Sequence, residues 1–205
     1  MKLTKLALIV ALSMGSTLTQ AAVFSDNFNS YPTTQLDWAP QNGWYYLGAG
    51  DVDLIQNDGA YFPAVSNGDG KYIDLDGSVG GALVNLNHGI SLIGGQQYAL
   101  SFDLAGNQRD SVYQDTVVAH FDEAILTIGV TPNSIFQNYV LNYTPLTSGF
   151  YSFGFGDVNS FGNNNVGALL DNVLVTAVPE PETYALLLGG LALVGFSARR
   201  RKTEV

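Results

Sequence analysis

Gln97-Tyr98-Ala99-Leu100-Ser101-Phe102-Asp103-Leu104 alternates without a break between two kinds of side chain. Tyr98, Leu100, Phe102 and Leu104 share one parity, and Gln97, Ala99, Ser101 and Asp103 share the other. An extended chain puts successive side chains on opposite faces, so the pattern predicts a strand with one face in a core and the other in water. Outward from it, similar runs predict strands at Val52 to Ile55, Tyr72 to Leu75, Ala82 to Leu86, Thr116 to Phe121, Ile125 to Val130, Ile135 to Tyr143, Gly149 to Phe155 and Ala168 to Val175. Gly, Asn and Asp clusters separate them, and no segment between Ala22 and Ala177 keeps a helical period for three turns. So many short strands in about 150 residues predict an all-β fold, a two-sheet sandwich. Within Gly149 to Gly156, Tyr151, Phe153 and Phe155 are expected to point inward. Gly154 and Gly156, on the other parity, leave room for a close neighbour.

Both ends of the 205-residue chain differ from this middle. Lys2 and Lys5 precede an apolar run from Leu6 to Met14, and Thr19-Gln20-Ala21 offers a small-x-small cleavage site. Residues 1–21 therefore read as a secretory signal peptide for the Sec translocon. At the other end, Val178-Pro179-Glu180-Pro181-Glu182 is held extended by its prolines. An uncharged run from Tyr184 to Phe196 and then Arg199-Arg200-Arg201-Lys202 follow it. The apolar run predicts a short transmembrane helix of about 20 Å, less than a settled span of ~20 residues provides. The basic stop Arg199, Arg200, Arg201 and Lys202 belongs on the cytoplasmic side by the positive-inside bias, so the tail reaches the inner membrane with the body outward. This divides the chain into a signal peptide (1–21), a β-sandwich (22–177) and a sorting and anchor segment (178–205).

The order Pro-Glu-Pro, Leu/Gly/Ala-rich helix and basic cluster resembles the PEP-CTERM sorting signal of Gram-negative bacteria that make exopolysaccharide. The resemblance covers about 25 residues. It implies that Pro179, Glu180 and Pro181 are recognised, and the chain cut nearby, by the membrane-embedded exosortase. The competing reading is a C-terminal anchor that stays in place.

Between Ala22 and Ala177 the cations are Lys71 and Arg109, against 15 acids, a formal balance of −13. Such a body repels phosphate backbones, which excludes nucleic acid as a partner and leaves divalent cations and neutral saccharides. The chain has no cysteine, so disulfides, thiolate metal sites and lipid attachment through Cys are excluded.

Asp26-Asn27-Phe28, Gly43-Trp44, Val52-Asp53-Leu54-Ile55, Asp74-Leu75-Asp76-Gly77, Phe102 through Asn107 and Leu170-Asp171-Asn172-Val173 occur in that order. They are similar to bacterial surface proteins of the anchor-bearing type and to galactose-binding-like jelly rolls of cell-wall proteins. The resemblance implies that the two-sheet sandwich is a jelly roll and that it binds saccharide. Stacking on a sugar needs flat aromatic faces, and hydroxyls need planar polar partners. The ligand-binding candidates are therefore Trp38, Trp44 and Tyr46, with Asn107 and Arg109 after a strand end; burial in the core is the competing reading for each aromatic. Calcium takes six to eight oxygens. The candidates for a structural Ca²⁺ are Asp26 and Asp171, near the two ends of the body, and Asp157 with Asn159; turn formation competes here.

The sequence offers no Gly-x-Ser-x-Gly elbow and no paired-His metal motif, and Asp122 and Glu123 are neighbours that a strand would point apart. No catalytic residue is assigned, and the protein is read as a non-enzyme. The sequence thus leads to an exported, exosortase-processed protein of the cell surface or exopolysaccharide matrix, adhesive or structural and binding carbohydrate. A secreted polysaccharide-active hydrolase and a purely structural matrix component are the alternatives.

Overall fold

The computed structural model describes residues 22–78, 84–109, 112, 114–158, 165–179 and 188–194. Eleven strands form the body: β1 (Ala22–Asp26), β2 (Trp44–Gly48), β3 (Asp53–Gln56), β4 (Lys71–Asp74), β5 (Val84–Leu92), β6 (Tyr98–Ala105), β7 (Asp115–Phe121), β8 (Ala124–Val130), β9 (Gln137–Tyr143), β10 (Gly149–Asp157) and β11 (Leu169–Ala177). All pairings are antiparallel, and they make two sheets. One runs β3-β4-β11-β6-β9, with β1 also paired to β11; the other runs β2-β5-β10-β7-β8. The protein is an all-β, two-sheet jelly-roll sandwich.

The alternation in β6 is the reason the sandwich closes. Tyr98, Leu100, Phe102 and Leu104 are buried as expected, while Ala99, Ser101 and Asp103 stay half-exposed. The facing sheet contributes Phe153 and Phe155 from β10, Phe121 from β7 and Leu86 from β5, and all join one core with Leu54, Ile73, Val173 and Val175. Phe102 meets Phe155 edge-on across the gap at 4.8 Å between ring centroids. Burying each such ring stabilises the fold by about 1.5–3 kcal/mol. A smaller cluster of Ile55, Val65, Tyr72, Ala105 and Leu169, with Phe62 and Phe136 against it, forms a second core.

Two differences from the sequence pattern matter later. Strand β5 continues past Leu86 to Leu92, which puts His88 in a strand and not in a Gly/Asn loop. Strand β2, not expected, holds the aromatic stretch Trp44-Tyr45-Tyr46 and alternates it across the sheet.

Candidate functional site

The two tryptophans are core residues. Trp38 is 0% exposed and Trp44 is 4% exposed. The Trp44 indole N–H donates to Asp26 Oδ2 at 3.0 Å, and its ring packs edge-on against Phe24 and Phe153. Tyr46, on the same parity as Trp44, is half-buried, and its hydroxyl donates to the Trp38 carbonyl. The platform expected of Trp38, Trp44 and Tyr46 is thus corrected: Trp44 and Tyr46 face inward because β2 turns Tyr45, on the other parity, outward, and Trp38 is buried in the loop before β2, where its carbonyl accepts the Tyr46 hydroxyl. Asn107 and Arg109 are also structural here. The Asn107 amide donates to Asp115 Oδ2 at 3.1 Å, and Asn107 Oδ1 accepts the Arg109 N–H at 2.9 Å. Arg109 forms an ion pair with the fully buried Asp74 and lies 3.8 Å over the Phe62 ring.

The acids sort into two groups. Asp26 and Asp171 are brought near each other, as expected of the two ends of the body, because β1 pairs with β11 and places Asp26 opposite Val173. Asp26 is occupied: it accepts the Phe28 N–H at 2.8 Å, the Tyr31 hydroxyl at 2.6 Å and the Trp44 indole. These three donors hold the Asp26 carboxylate in place between β1 and β2. Asp171 is buried and accepts the Asn172 N–H at 2.6 Å. Burial first, then the charges of Asp69, Asp103 and Asp26, push its carboxyl up to about 7. Asp157 accepts the Ala168 N–H at 3.2 Å, and Asn159 lies outside the described residues.

The second group fills the far end of the sandwich, where Asp51, Asp53, Asp74, Asp76, Asp115 and Asp157 are all buried. Asp37, Asp51 and Asp53 offer carboxylate oxygens within 4.8 Å of one another, the arrangement among the described residues able to hold a cation. Asp51 and Asp53, two apart in an extended stretch, share a parity; that was the available signal. Burial, then the Asp157 charge, raises Asp115 to about 7. A raised acid beside a second carboxyl is how glycosidases hold a general acid. Both acids are buried, however, and out of reach of a polymer chain.

The outer face of the five-stranded sheet carries a row of residues exposed at its two ends and buried at its centre. Register places Tyr45, Asn87, Gly154, His120 and Ile125 in one row across β2, β5, β10, β7 and β8. Four strand spacings make this row roughly 19 Å long. Tyr45 is 39% exposed at one end. In the centre His120 Nε2 meets Asn87 Oδ1 at 2.6 Å; an amide oxygen only accepts, so this nitrogen carries the proton. Burial lowers the His120 pKa, so the ring is neutral at neutral pH. Gly154 makes the contact feasible: a Cβ there would lie 2.4 Å from Asn87 Oδ1 and 2.7 Å from His120 Nε2. Asn87 is 0% exposed and Gly154 is buried, so the centre of the row is a packed amide–imidazole contact, and its exposed members are Tyr45 and Ile125 at the two ends.

At the opposite end from the buried acids, β11 leads straight into the tail. Ala177 pairs with Tyr98, the Val178 N–H donates to the Gln97 carbonyl at 2.8 Å, and the Gln96 amide donates to the Val178 carbonyl at 2.6 Å. Pro179 follows at once. Glu180, Pro181 and Arg199 to Lys202 lie outside the described residues, as does the signal peptide at residues 1–21. Residues 188–194 are helical with exposed side chains, and no helix of the described residues is long and apolar enough to cross a membrane. Residues 177–202 match the PEP-CTERM protein-sorting motif. The chain carries a PEP-CTERM sorting signal. This PEP-CTERM signal implies export, processing by exosortase and a membrane-associated step.

The body of the PEP-CTERM protein is similar in fold to several solved structures. One is the CBM22-1 xylan-binding domain of Xyn10C from Paenibacillus barcinonensis, with a TM-score of 0.52 at 11% identity, covering 78% of this chain and 97% of that one. Another is the Stig cyclase Fisc from Fischerella sp. TAU, with a TM-score of 0.54 at 15% identity, covering 78% and 99%. A third is the K1 cleaved adhesin domain of Lys-gingipain from Porphyromonas gingivalis W83, with a TM-score of 0.52 at 12% identity, covering 76% and 98%. At these identities the likeness concerns the fold. The chain spans only 23% and 20% of two longer chains that it also matches, an arabinofuranosidase and a phage tailspike. No curated relative matches the chain by sequence.

Proposed function

We propose that this is a secreted, exosortase-processed protein that serves at the surface or in the exopolysaccharide matrix of a Gram-negative bacterium, where its sandwich binds extracellular polysaccharide in an adhesive or structural role. One observation carries the reading: the sorting motif, residues 177–202, begins at the last residue of the last strand, so the whole sandwich is the cargo of the sorting signal. The fold it shares with a xylan-binding domain and an adhesin domain supports a binding role. In this reading residues 1–21 are removed on export, residues 22–177 are the working domain, and the tail from Val178 is the sorting segment. The binding surface is the exposed edge of this face at β2 and β5, with Tyr45 stacking on a sugar ring and Asn85, exposed two residues before Asn87 on the same face of β5, meeting its hydroxyls.

The test is a pull-down with the producer's own purified polysaccharide. Tyr45→Ala, at a partly exposed position, should weaken retention about tenfold or more, the effect of losing about 1.4 kcal/mol of contact, with no change in melting temperature. Equal retention of Tyr45→Ala and the parent would remove this surface from the account. Release of reducing sugars by the parent would favour a hydrolase instead.

A further inference from the structure

The outer face of the five-stranded sheet carries a second exposed ring, on the far side of β5 from Tyr45. Phe150, in β10, shares the outward parity of Ser152 and Gly154, while Tyr151, Phe153 and Phe155 pack into the core. It pairs with Ser91 of β5, and Ser152 pairs with Gly89. A Cβ on Gly89 would lie 2.5 Å from Phe150 Cε1 and closer still to Cζ. The ring therefore leans diagonally across β5 and rests on the Gly89 backbone, in space that the Cβ of any other residue would fill. Lying there, Phe150 is still 75% exposed.

Tyr45 reaches the same strip of β5 from the other side. Its partner there is Asn87, so Asn85 and Gly89 are its diagonal neighbours. Diagonal positions on one face of a sheet lie roughly 7–8 Å apart, within reach of aromatic side chains. Tyr45 and the Phe150 ring thus border a strip whose floor at Gly89 has no side chain, with the exposed Asn85 and Ser91 at its two ends. A lipid or protein partner would cover an unbroken apolar area. Here rings alternate with amide and hydroxyl groups, which matches a sugar chain, where C–H faces alternate with hydroxyl rims. The two cations of the body are engaged elsewhere: Lys71 of β4 is buried and its Nζ donates to the Asn29 carbonyl at 3.3 Å, and Arg109 pairs with Asp74. With no lysine or arginine on this face and a formal balance of −13, the body repels an acidic polysaccharide.

We infer that Phe150, laid over Gly89, is a second stacking ring of the saccharide surface, and that this surface takes a neutral, extended, β-linked polysaccharide. The inference rests on the saccharide reading proposed above. Two rings on one sheet face hold neighbouring units of a sugar chain only where that chain runs flat. An extended β-linked chain keeps its ring faces along the sheet, whereas a coiled α-linked chain turns them away. Gly89 is the positioning residue, since its missing Cβ lets the Phe150 ring lie down.

Native affinity electrophoresis of the chain from Ala22 to Val205 in mild detergent tests this, with a soluble neutral β-glucan in one gel and pullulan, a neutral α-glucan, in another. The β-glucan is expected to retard the parent and pullulan to leave it unretarded. Phe150→Ala should weaken binding about tenfold at unchanged melting temperature, and Phe150→Trp should keep it. Gly89→Ala should weaken it with Phe150 still present, because the new Cβ lifts the ring; Ile93→Ala, at an exposed apolar position beyond Ser91, should bind like the parent. If Phe150→Ala or Gly89→Ala binds like the parent while Tyr45→Ala does not, the inference is overturned and the saccharide reading stands. The same holds for a parent that pullulan retards equally, or that the producer's own polysaccharide retains and β-glucan does not. Equal losses in Phe150→Ala and Ile93→Ala also overturn it, because the contact is then a general apolar patch. A parent held neither by β-glucan nor by the producer's polysaccharide overturns both readings together.

Discussion

Replacing Arg109 by Met removes the positive charge from a carboxylate that has no access to water. Asp74 is fully buried, and its oxygens accept the Arg109 guanidinium together with the Asp76 and Gly167 N–H groups, both at 3.1 Å. Three donors converge on it. Burial pushes its pKa well above the ordinary carboxylate range, and Arg109 pulls it back only in part. With the guanidinium gone, the carboxyl either stays charged and unpaired, at about 3–5 kcal/mol, or takes up a proton, which costs more at pH 7 than at pH 5. The sign follows: an acid whose folded pKa is raised contributes stability at low pH that is lost as pH rises. Met keeps an apolar stem over Phe62, so the charge is the main thing removed. Urea unfolding of the full chain in mild detergent, followed by Trp38 and Trp44 fluorescence, should show a deficit of up to about 3–5 kcal/mol at pH 7 that shrinks at pH 5. Against a total of about 5–15 kcal/mol this is a large loss. A deficit under about 1 kcal/mol, or one identical at both pH values, would refute the buried-pair reasoning.

The unmodified chain should itself become more stable between pH 8 and pH 6, as Asp115 and Asp171, both raised to about 7 by burial, take up protons in the folded state first. Scanning calorimetry of Asp115→Asn should show a flatter pH profile. Further acidification should reverse the trend, because burial lowers the His88 and His120 pKa values and both rings must charge on unfolding. Gly154→Ala should cost about 1–3 kcal/mol by overpacking. Its Cβ falls 2.4 Å from Asn87 Oδ1 and 2.7 Å from the Leu86 carbonyl, and the His120 imidazole resonances should move with it; unchanged resonances would count against the row geometry. Alanine at Pro179, Glu180 and Pro181 together should leave the tail uncut, read as an intact C-terminus by mass spectrometry.

Strand parity was legible wherever one face of a strand is fully buried. β6, β7 and β10 announce themselves because Leu100, Val117 and Phe153 have no alternative environment. β1 and β2 were not, because Ala22–Asp26 has little exposed–buried contrast and Trp44-Tyr45-Tyr46 is aromatic on both parities. The same ambiguity misdirected the search for a saccharide surface: adjacency drew attention to Trp38, Trp44 and Tyr46, whereas parity within β2 sends Trp44 inward and Tyr45 out. Arg109 looked available for a ligand because its partner, Asp74, is 35 positions away in sequence. No local pattern shows a buried ion pair made by distant strands. The convergence of Asp37, Asp51 and Asp53 was hidden for the same reason. The sorting motif was legible, since its order of Pro-Glu-Pro, apolar run and basic cluster depends on no tertiary contact.

Intact-mass analysis of the protein recovered from the medium or matrix of its native producer tests the account most directly. The expected species begins near Ala22 and ends close to the Pro179-Glu180-Pro181 motif, without the apolar run and the basic cluster Arg199 to Lys202. A full-length chain, Met1 to Val205, recovered from the cytosol would contradict it.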